Sequence, residues 1–335
     1  MKIVVFEVEE WERDAFRDLQ EDHEVIFAAG TADSMDLESY IDADVISVFI
    51  YSSLTAEILE KFTHLSLVAT RSTGFDHIDV DWCKKNNVDI ANVPTYGDNT
   101  VAEHVFGLLL TISHNMTEAI DRTRKGDFSQ KGLRGFDLKG KKFGIIGTGS
   151  IGLNTASIAR GFGMNVLAFD VKPKEDAAKD IGFTYCSMDD LLAESDIITI
   201  HVPYNKHTHH LIGEEEFGKM KDGVVLINTA RGAIINIKAM LNALASQKVK
   251  AAGLDVLTEE PSIREEAELI RKSFQEGYDL EAILADHILL RLRNVYITPH
   301  SAFNTTEAIT RILTTTVDNI KAFIRDQQKN LVTAS

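Results

Sequence analysis

The chain has 335 residues, 44% hydrophobic and 26% charged, values ordinary for a globular protein. At roughly 150 residues per domain, that length suits two domains. Thirty-five basic against 51 acidic side chains leave a net charge of −16, which repels nucleic acid and anionic lipid, and no local basic patch offsets it.

Taken in chain order, the start Met1–Glu7 turns acidic within seven residues and reads as a first strand, not a signal peptide. Ile3–Val8, Glu24–Ala28, Val45–Ile50, Leu65–Thr70 and Val88–Val93 are short Val/Ile-rich runs bounded by turn residues. Such runs suit strands buried on both faces of a parallel sheet. Trp11–Leu19 and Leu54–Phe62 between them are expected as crossover helices, giving a βαβ pattern. Thr100-Val101-Ala102-Glu103 reads as a capping box opening a helix that runs to about His114. That helix is apolar almost all round, so it is expected to be buried at the connection between two domains. His104 and His114 on it read as satisfied helix-face residues.

A second set of βαβ units begins at Phe143. Its expected strands are Phe143–Ile146, Asn165–Phe169, Phe183–Tyr185, Ile197–Val202, Val224–Asn228, Ala251–Asp255 and Val295–Thr298. Helical runs are expected at Arg264–Phe274 and Leu280–Leu292, and an amphipathic helix at about Thr305–Asp326. No run approaches the ~20 apolar residues of a membrane span. The two cysteines, Cys83 and Cys186, lie far apart and outside metal-ligand spacing, which suits a reduced, cytoplasmic protein. His207-Thr208-His209-His210 lies in a polar stretch and reads as loop, so no metal is expected.

Gly147-Thr148-Gly149-Ser150-Ile151-Gly152 is a G-x-G-x-x-G turn placed between an expected strand and an expected helix, Ile151–Gly163. In that context it is a dinucleotide fingerprint. Gly147 permits the tight turn, Gly149 lets backbone approach a pyrophosphate, and Gly152 packs helix on strand. The amides of Ser150 and Ile151 would face the pyrophosphate at the helix N-terminus. Asp170 follows Gly152 by 18 residues, near the usual ~20, where a carboxylate accepts from ribose hydroxyls and repels a 2′-phosphate. NAD is the expected cofactor, although Lys172 nearby softens the preference over NADP.

Three later strand ends carry polar residues. Arg231 follows the strand Val224–Ile227, Asp255 ends a strand with a Glu259-Glu260 pair just beyond, and His300 follows Thr298-Pro299. Reduction of a 2-keto acid needs a cation for the carboxylate and a proton donor for the developing alkoxide. Arg supplies the bidentate fork, and His has its pKa near neutrality. A carboxylate beside that His favours the imidazolium.

With these motifs in this order, the sequence resembles the D-isomer-specific 2-hydroxyacid dehydrogenases over nearly its whole length, from Arg71-Ser72-Thr73-Gly74-Phe75-Asp76 to Pro299-His300. The resemblance implies an α/β protein of two Rossmann/flavodoxin-like domains with parallel sheets and a cleft that closes on substrate. The substrate domain would be residues 1–99 plus 301–335, and the NAD-binding domain residues 100–300. It also implies Arg231, Glu260 and His300 as the catalytic set, Asp255 on the nicotinamide side, and Thr229 and Ala230 lining the cofactor. His201, Val202, Pro203 and Thr208 would flank the adenosine half. Pro299-His300-Ser301-Ala302-Phe303 looks like the D-lactate dehydrogenase branch, and Tyr51, Tyr96 and Phe303 match aromatic positions of its pocket. The amides of Thr73 and Gly74 would help hold the substrate carboxylate, and Ser262–Arg293 resembles an insertion that branch carries.

Two departures stand out. Leu257 replaces an aromatic residue common after Asp-Val, and Glu259 competes with Glu260, which register against Pro261 favours. The implied function is NAD-dependent reduction of pyruvate or a related small 2-keto acid to the D-2-hydroxy acid, in a homodimer. Two rivals stay open: an NADH-binding, corepressor-like regulator, and a dehydrogenase for another substrate such as 2-ketoisocaproate, formate or phosphite.

Overall fold

A computed structural model describes residues 1–258 and 280–332, with backbone only for 280–284. The described residues divide into two compact units, Met1–Tyr96 with Asn304–Ser335, and Gly97–Phe303.

The first unit is built on a five-stranded sheet. Its strands are β1 (Lys2–Val5), β2 (Glu24–Phe27), β3 (Val45–Val48), β4 (Leu67–Thr70) and β5 (Asp89–Ala91). They run in the order β2-β1-β3-β4-β5, every pair parallel. This is the flavodoxin-like order. Strands β3 and β4 are buried at every position, as their unbroken Val/Ile runs require.

The crossovers are less helical than their length suggests. Glu10–Phe16 is a 3-10 helix leading into a single α-turn, α1 (Arg17–Gln20), and the crossover from β3 to β4 carries only α2 (Ala56–Leu59). Trp11 stays 56% exposed, so the first segment lacks a continuous apolar stripe to hold a longer helix against the sheet. A short α3 (Val80–Lys85) is capped by Asp79, whose carboxylate accepts from the Trp82 amide.

The second unit opens with α4 (Asp98–Ser113) and α5 (Met116–Arg124). The capping box expected at Thr100 does not form. The helix begins two residues earlier behind Gly97, which leaves Thr100 buried inside its first turn. Glu103 instead takes a hydrogen bond from Asn99 one turn back. The apolar surface of α4 is buried as expected, with Val105, Leu108, Leu109 and Ile112 packed on Phe143, Ile145, Val225 and Ile227 of the sheet behind it.

That sheet has seven strands: β6 (Lys142–Ile146), β7 (Asn165–Phe169), β8 (Thr184–Tyr185), β9 (Ile197–Ile200), β10 (Val224–Asn228), β11 (Val249–Leu254) and β12 (Val295–Ile297). Between them lie α6 (Ser150–Gly161), α7 (Glu175–Ile181), α8 (Met188–Glu194), α9 (Glu214–Lys219), α10 (Ile237–Ala245) and α11 (Leu280–Leu289). The order β12-β11-β10-β9-β6-β7-β8 is all parallel and reverses direction at β6, as in doubly wound dinucleotide-binding folds. Apolar clusters cover both faces of the sheet.

The chain then returns to the first unit with α12 (Thr306–Ile324), capped by the Thr305 hydroxyl. Its Leu313, Val317 and Ile320 pack on Ile3, Val5, Val45 and Leu67. Among the described residues, no helix is long and apolar enough to cross a membrane.

Candidate active site

The turn after β6 is fixed by steric necessity. Gly147 has φ +97°, and a Cβ there would lie 2.8 Å from the His201 carbonyl carbon. A Cβ on Gly152 would lie 2.0 Å from the Gly147 oxygen, so the helix can start this close to the strand only without a side chain. Gly149, in contrast, faces open space. No side chain caps α6, so the first amides of the helix, including those of Ser150 and Ile151, are left for a ligand.

Asp170 stands at the end of β7. Its Oδ2 accepts from the Thr148 amide at 2.6 Å and the Thr148 hydroxyl at 3.0 Å, and its Oδ1 from the Lys172 amide at 2.8 Å. Burial pushes this carboxyl up, but those donors outweigh it and hold it below the usual carboxylate range. It is therefore ionised at neutral pH.

The segment after β9 packs against the glycine turn. His201 donates its amide to Ile146 at 2.7 Å and pairs its Nε2 with the Thr199 hydroxyl at 3.0 Å. Burial drives its pKa down to about 3, so the ring is neutral. Val202 borders Gly147. The Thr208 hydroxyl donates to the Pro203 carbonyl at 2.7 Å and accepts from the Asn205 amide, which fixes the exposed loop at Pro203. These contacts make a backbone frame for a nucleotide: an anion-binding helix end, open space at Gly149 and an ionised carboxylate at the neighbouring strand end.

Three further loops meet at the same carboxyl edge. At the end of β10, the buried Asn228 side chain donates to the Arg231 carbonyl at 2.9 Å and accepts from the Ala230 amide at 3.0 Å. This clamp fixes the turn that carries Thr229, Ala230 and Arg231. Among the described residues, the buried Thr229 hydroxyl has no hydrogen-bond partner. Gly232 is pressed against the loop after β11: a Cβ would lie 2.2 Å from the Leu257 carbonyl carbon. Arg231 therefore sits beside that loop.

Asp255 joins the second loop to the third. Its amide donates to the Asn228 carbonyl, and its carbonyl accepts from the His300 amide, each at 2.9 Å. Its carboxylate has no exposed surface. Oδ1 accepts from the Thr298 hydroxyl and the Ser301 amide, and Oδ2 accepts from the Ala302 amide at 2.8 Å. The side chain expected on the nicotinamide side thus spends both oxygens on the loop that carries His300. His300 itself has φ +51°, a left-handed conformation that costs a non-glycine residue roughly 1–3 kcal/mol unless its surroundings hold it. Glu260, expected beside it, lies outside the described residues, as do Glu259, Pro261 and the run Arg264–Phe274.

In the first unit, the residues expected at the substrate are held by a different device. Arg71 is buried, and its guanidinium donates to the carbonyls of Phe6 and Glu7, both at 2.8 Å, and to the Ser47 hydroxyl. Burial lowers its pKa, and the nearby Glu12 and Glu7 carboxylates oppose that. The Glu7 carboxylate accepts the amides of Tyr51 and Ser52, which fixes the backbone at Tyr51. Thr73 donates its hydroxyl to Val93, and the Ser72 hydroxyl donates to the Gly74 carbonyl. Among the described residues, the amides of Thr73 and Gly74 have no acceptor. The Tyr96 carbonyl accepts from Arg311 at 2.8 Å. Phe303, half-buried, belongs to the second unit.

Asn228, Arg71 and Glu7 escape a sequence reading, because each acts by side chain on backbone. Only an Asn directly after an apolar strand hints at the first.

A doubly wound parallel sheet with a glycine-rich turn, an acidic residue after the second strand of the motif and Arg and His on neighbouring loops is the build of a dinucleotide-dependent dehydrogenase. Comparison with known proteins narrows the class. Residues 106–302 match the NAD-binding domain of D-isomer specific 2-hydroxyacid dehydrogenases. D-lactate dehydrogenase of Escherichia coli is 38% identical over 247 residues, 73% of this chain and 71% of that protein. The crystal structure of D-lactate dehydrogenase from Aquifex aeolicus, complexed with NAD and lactic acid, superposes with a TM-score of 0.88. It is 38% identical and covers 99% of both chains. An aromatic 2-oxoacid reductase of Clostridium sporogenes is 37% identical over 251 residues, 74% of this chain and 72% of its own. The chain belongs to the D-isomer specific 2-hydroxyacid dehydrogenases and is an NAD-dependent oxidoreductase.

Proposed function

We propose that this enzyme reduces pyruvate or a related small 2-keto acid to the D-2-hydroxy acid, with Arg231, His300 and Glu260 as its working side chains. The observation that carries this reading is the bonded edge formed by the loops after β10, β11 and β12. It fixes the backbone that carries Arg231 and His300 on the sheet edge that also bears the glycine turn, which supports the reading. NADH, when bound, supplies the hydride that the keto carbon receives.

Arg231 binds the substrate carboxylate through its planar fork and orients the carbonyl. His300, as an imidazolium, gives a proton to the oxygen that becomes the hydroxyl, with Glu260 the carboxylate that the family resemblance assigns to it. In the reverse direction the neutral ring takes the proton back. The amides of Thr73 and Gly74, which have no acceptor among the described residues, are those the family resemblance assigns to the substrate carboxylate, and Tyr51, Tyr96 and Phe303 match its aromatic positions. For the cofactor, the Ser150 and Ile151 amides would hold the pyrophosphate and Asp170 the ribose hydroxyls. His201, Val202, Pro203 and Thr208 would flank the adenosine half, and Thr229 and Ala230 the remainder.

The same reading takes the protein to be a cytoplasmic homodimer paired through its second unit. The resemblance puts the Thr100–His114 helix region in that interface, and just after it in the chain Met116 and Ile120 on α5 and Phe128 are exposed, Phe128 to 79%. Both cysteines are free, which suits a reducing compartment.

The test is NADH oxidation with pyruvate, 2-ketobutyrate, 2-ketoisocaproate, phenylpyruvate, hydroxypyruvate and glyoxylate, with the chirality of the product determined. Highest kcat/KM on pyruvate with D-lactate formed is the expected result, and preference for phenylpyruvate would move the substrate to the aromatic 2-keto acids. His300→Gln is expected to lower kcat by about 10²–10⁴ while NADH affinity stays within twofold. Wild-type turnover in that variant would remove His300 from the acid role.

A further inference from the structure

We propose that His104, on α4, is a positioning residue of this site: through Thr298 it orients the Asp255 carboxylate that holds His300 in its left-handed conformation. The inference rests on the reading of His300 as the acid.

The hydrogen-bond directions follow from donor counting. Asp255 Oδ1 accepts from the Thr298 hydroxyl at 2.5 Å and from the Ser301 amide at 2.9 Å. An ionised carboxylate is an acceptor only, so the single Thr298 proton goes to Asp255. His104 Nε2 lies 3.0 Å from the same Thr298 oxygen and 3.5 Å from Asp255 Oδ1. The Thr298 proton being spent, that contact requires His104 to donate from Nε2. A relay of fixed direction results, running from the imidazole N–H to the hydroxyl and on to the carboxylate. It continues from the carboxylate to the amides of Ser301 and Ala302, directly after His300.

The far end of the relay is the strained point. His300 has φ +51°, and its amide is shared between the carbonyls of Asp255 and Thr298, both at 2.9 Å. Such a backbone persists only where several contacts converge on it. Asp255 supplies a carbonyl and both carboxylate oxygens, and its side chain, with no exposed surface, has no water to fix its rotation. Among the described residues, Thr298 and His104 contact it from outside the His300–Ala302 segment. His104 is anchored in turn by α4, whose Val105 and Leu108 are packed into the core of the second unit.

The experiment compares His104→Leu, His104→Gln, Thr298→Val and the His104→Leu/Thr298→Val double variant in the full-length enzyme. Readouts are kcat and KM on the best keto acid, NADH Kd by fluorescence, and Tm. Misplacing a general acid by a fraction of an ångström lowers turnover roughly ten- to hundredfold. His104→Leu and Thr298→Val are each expected to lose that much in kcat with NADH Kd within twofold. His104→Gln, which keeps a donor at the Nε2 position, regains most of the loss. The double variant is no worse than the worse single, because both break one relay.

Wild-type kcat in folded His104→Leu or Thr298→Val, or losses that multiply in the double variant, would overturn the proposal. Thr298→Val differs from the natural protein by one hydroxyl and decides the matter if His104→Leu does not fold. His300→Gln in the same assays separates the two readings. Turnover retained there removes the acid, whereas turnover lost there and kept in the His104 and Thr298 variants removes only the positioning role.

Discussion

The loops at the carboxyl edges of the two sheets meet one demand, fixing irregular backbone beside a ligand, with buried charges of opposite sign. In the second unit the charge is the Asp255 carboxylate, which takes up the amides of Ser301 and Ala302. In the first it is the Arg71 guanidinium, which takes up the carbonyls of Phe6 and Glu7. A buried anion consumes N–H donors, and here it holds the loop that carries His300. A buried cation consumes carbonyls, and among the described residues the amides of Thr73 and Gly74, just after Arg71, have no acceptor. The sign of the buried group thus sets which backbone groups it can hold: amides for Asp255, carbonyls for Arg71.

Removing the two charges separates their roles. Asp255→Ala leaves two amides without acceptors and frees the strained residue between them, so kcat is expected to fall by about 10² or more in steady-state assays. Arg71→Met removes three donated bonds. It is expected to destabilise the first unit by about 2–4 kcal/mol in urea titration and to leave NADH Kd within twofold. If Arg71→Met weakens NADH binding tenfold, the two devices are not independent.

The smallest effect concerns pH. The Arg71 guanidinium stays charged throughout the accessible range, whereas His201 must stay neutral. Its folded pKa, about 3, lies below its ordinary 6.5, so between these values the unfolded chain binds the extra proton. The stability that neutral His201 contributes is complete above pH 6.5 and is lost as pH falls toward 3. The limiting slope is about 1.4 kcal/mol per pH unit. Urea titrations at pH 7 and pH 5 are expected to show a smaller acid loss in His201→Gln than in the natural protein. Equal losses would mean that another group governs the acid limb.

The strands of both sheets are legible in the sequence because each is a short Val/Ile run, and a buried parallel strand needs nothing more. The glycine turn is legible because three glycines, a strand and a helix fall in one local window. The helix start at Thr100 misleads for the opposite reason. Its Ser/Thr-x-x-Glu pattern is also local, but the helix starts at Asp98 and leaves Thr100 buried inside its first turn.

Side-chain bonds between distant segments leave no local pattern at all. Arg71 reaches Phe6 across 65 residues, Asp255 reaches Ala302 across 47, and His104 reaches Thr298 across 194. Arg231 and His300 could be picked out because Arg and His at apolar strand ends are chemically out of place. Asp255 could be picked out too, but its partners could not.

The path of the chain has a consequence for synthesis. The second unit, Gly97–Phe303, is one uninterrupted segment inserted into a first unit whose parts lie on either side of it. Every strand of the first sheet leaves the ribosome before Tyr96, yet the helix that covers Ile3, Val5, Val45 and Leu67 emerges some two hundred residues later. At translation rates of about 5–20 residues per second, that face waits on the order of ten seconds or more for its cover. The inserted unit needs nothing from the flanking segments to complete its own sheet. The nascent chain therefore acquires its nucleotide-binding half first, and the waiting apolar face is the natural point of engagement for a chaperone.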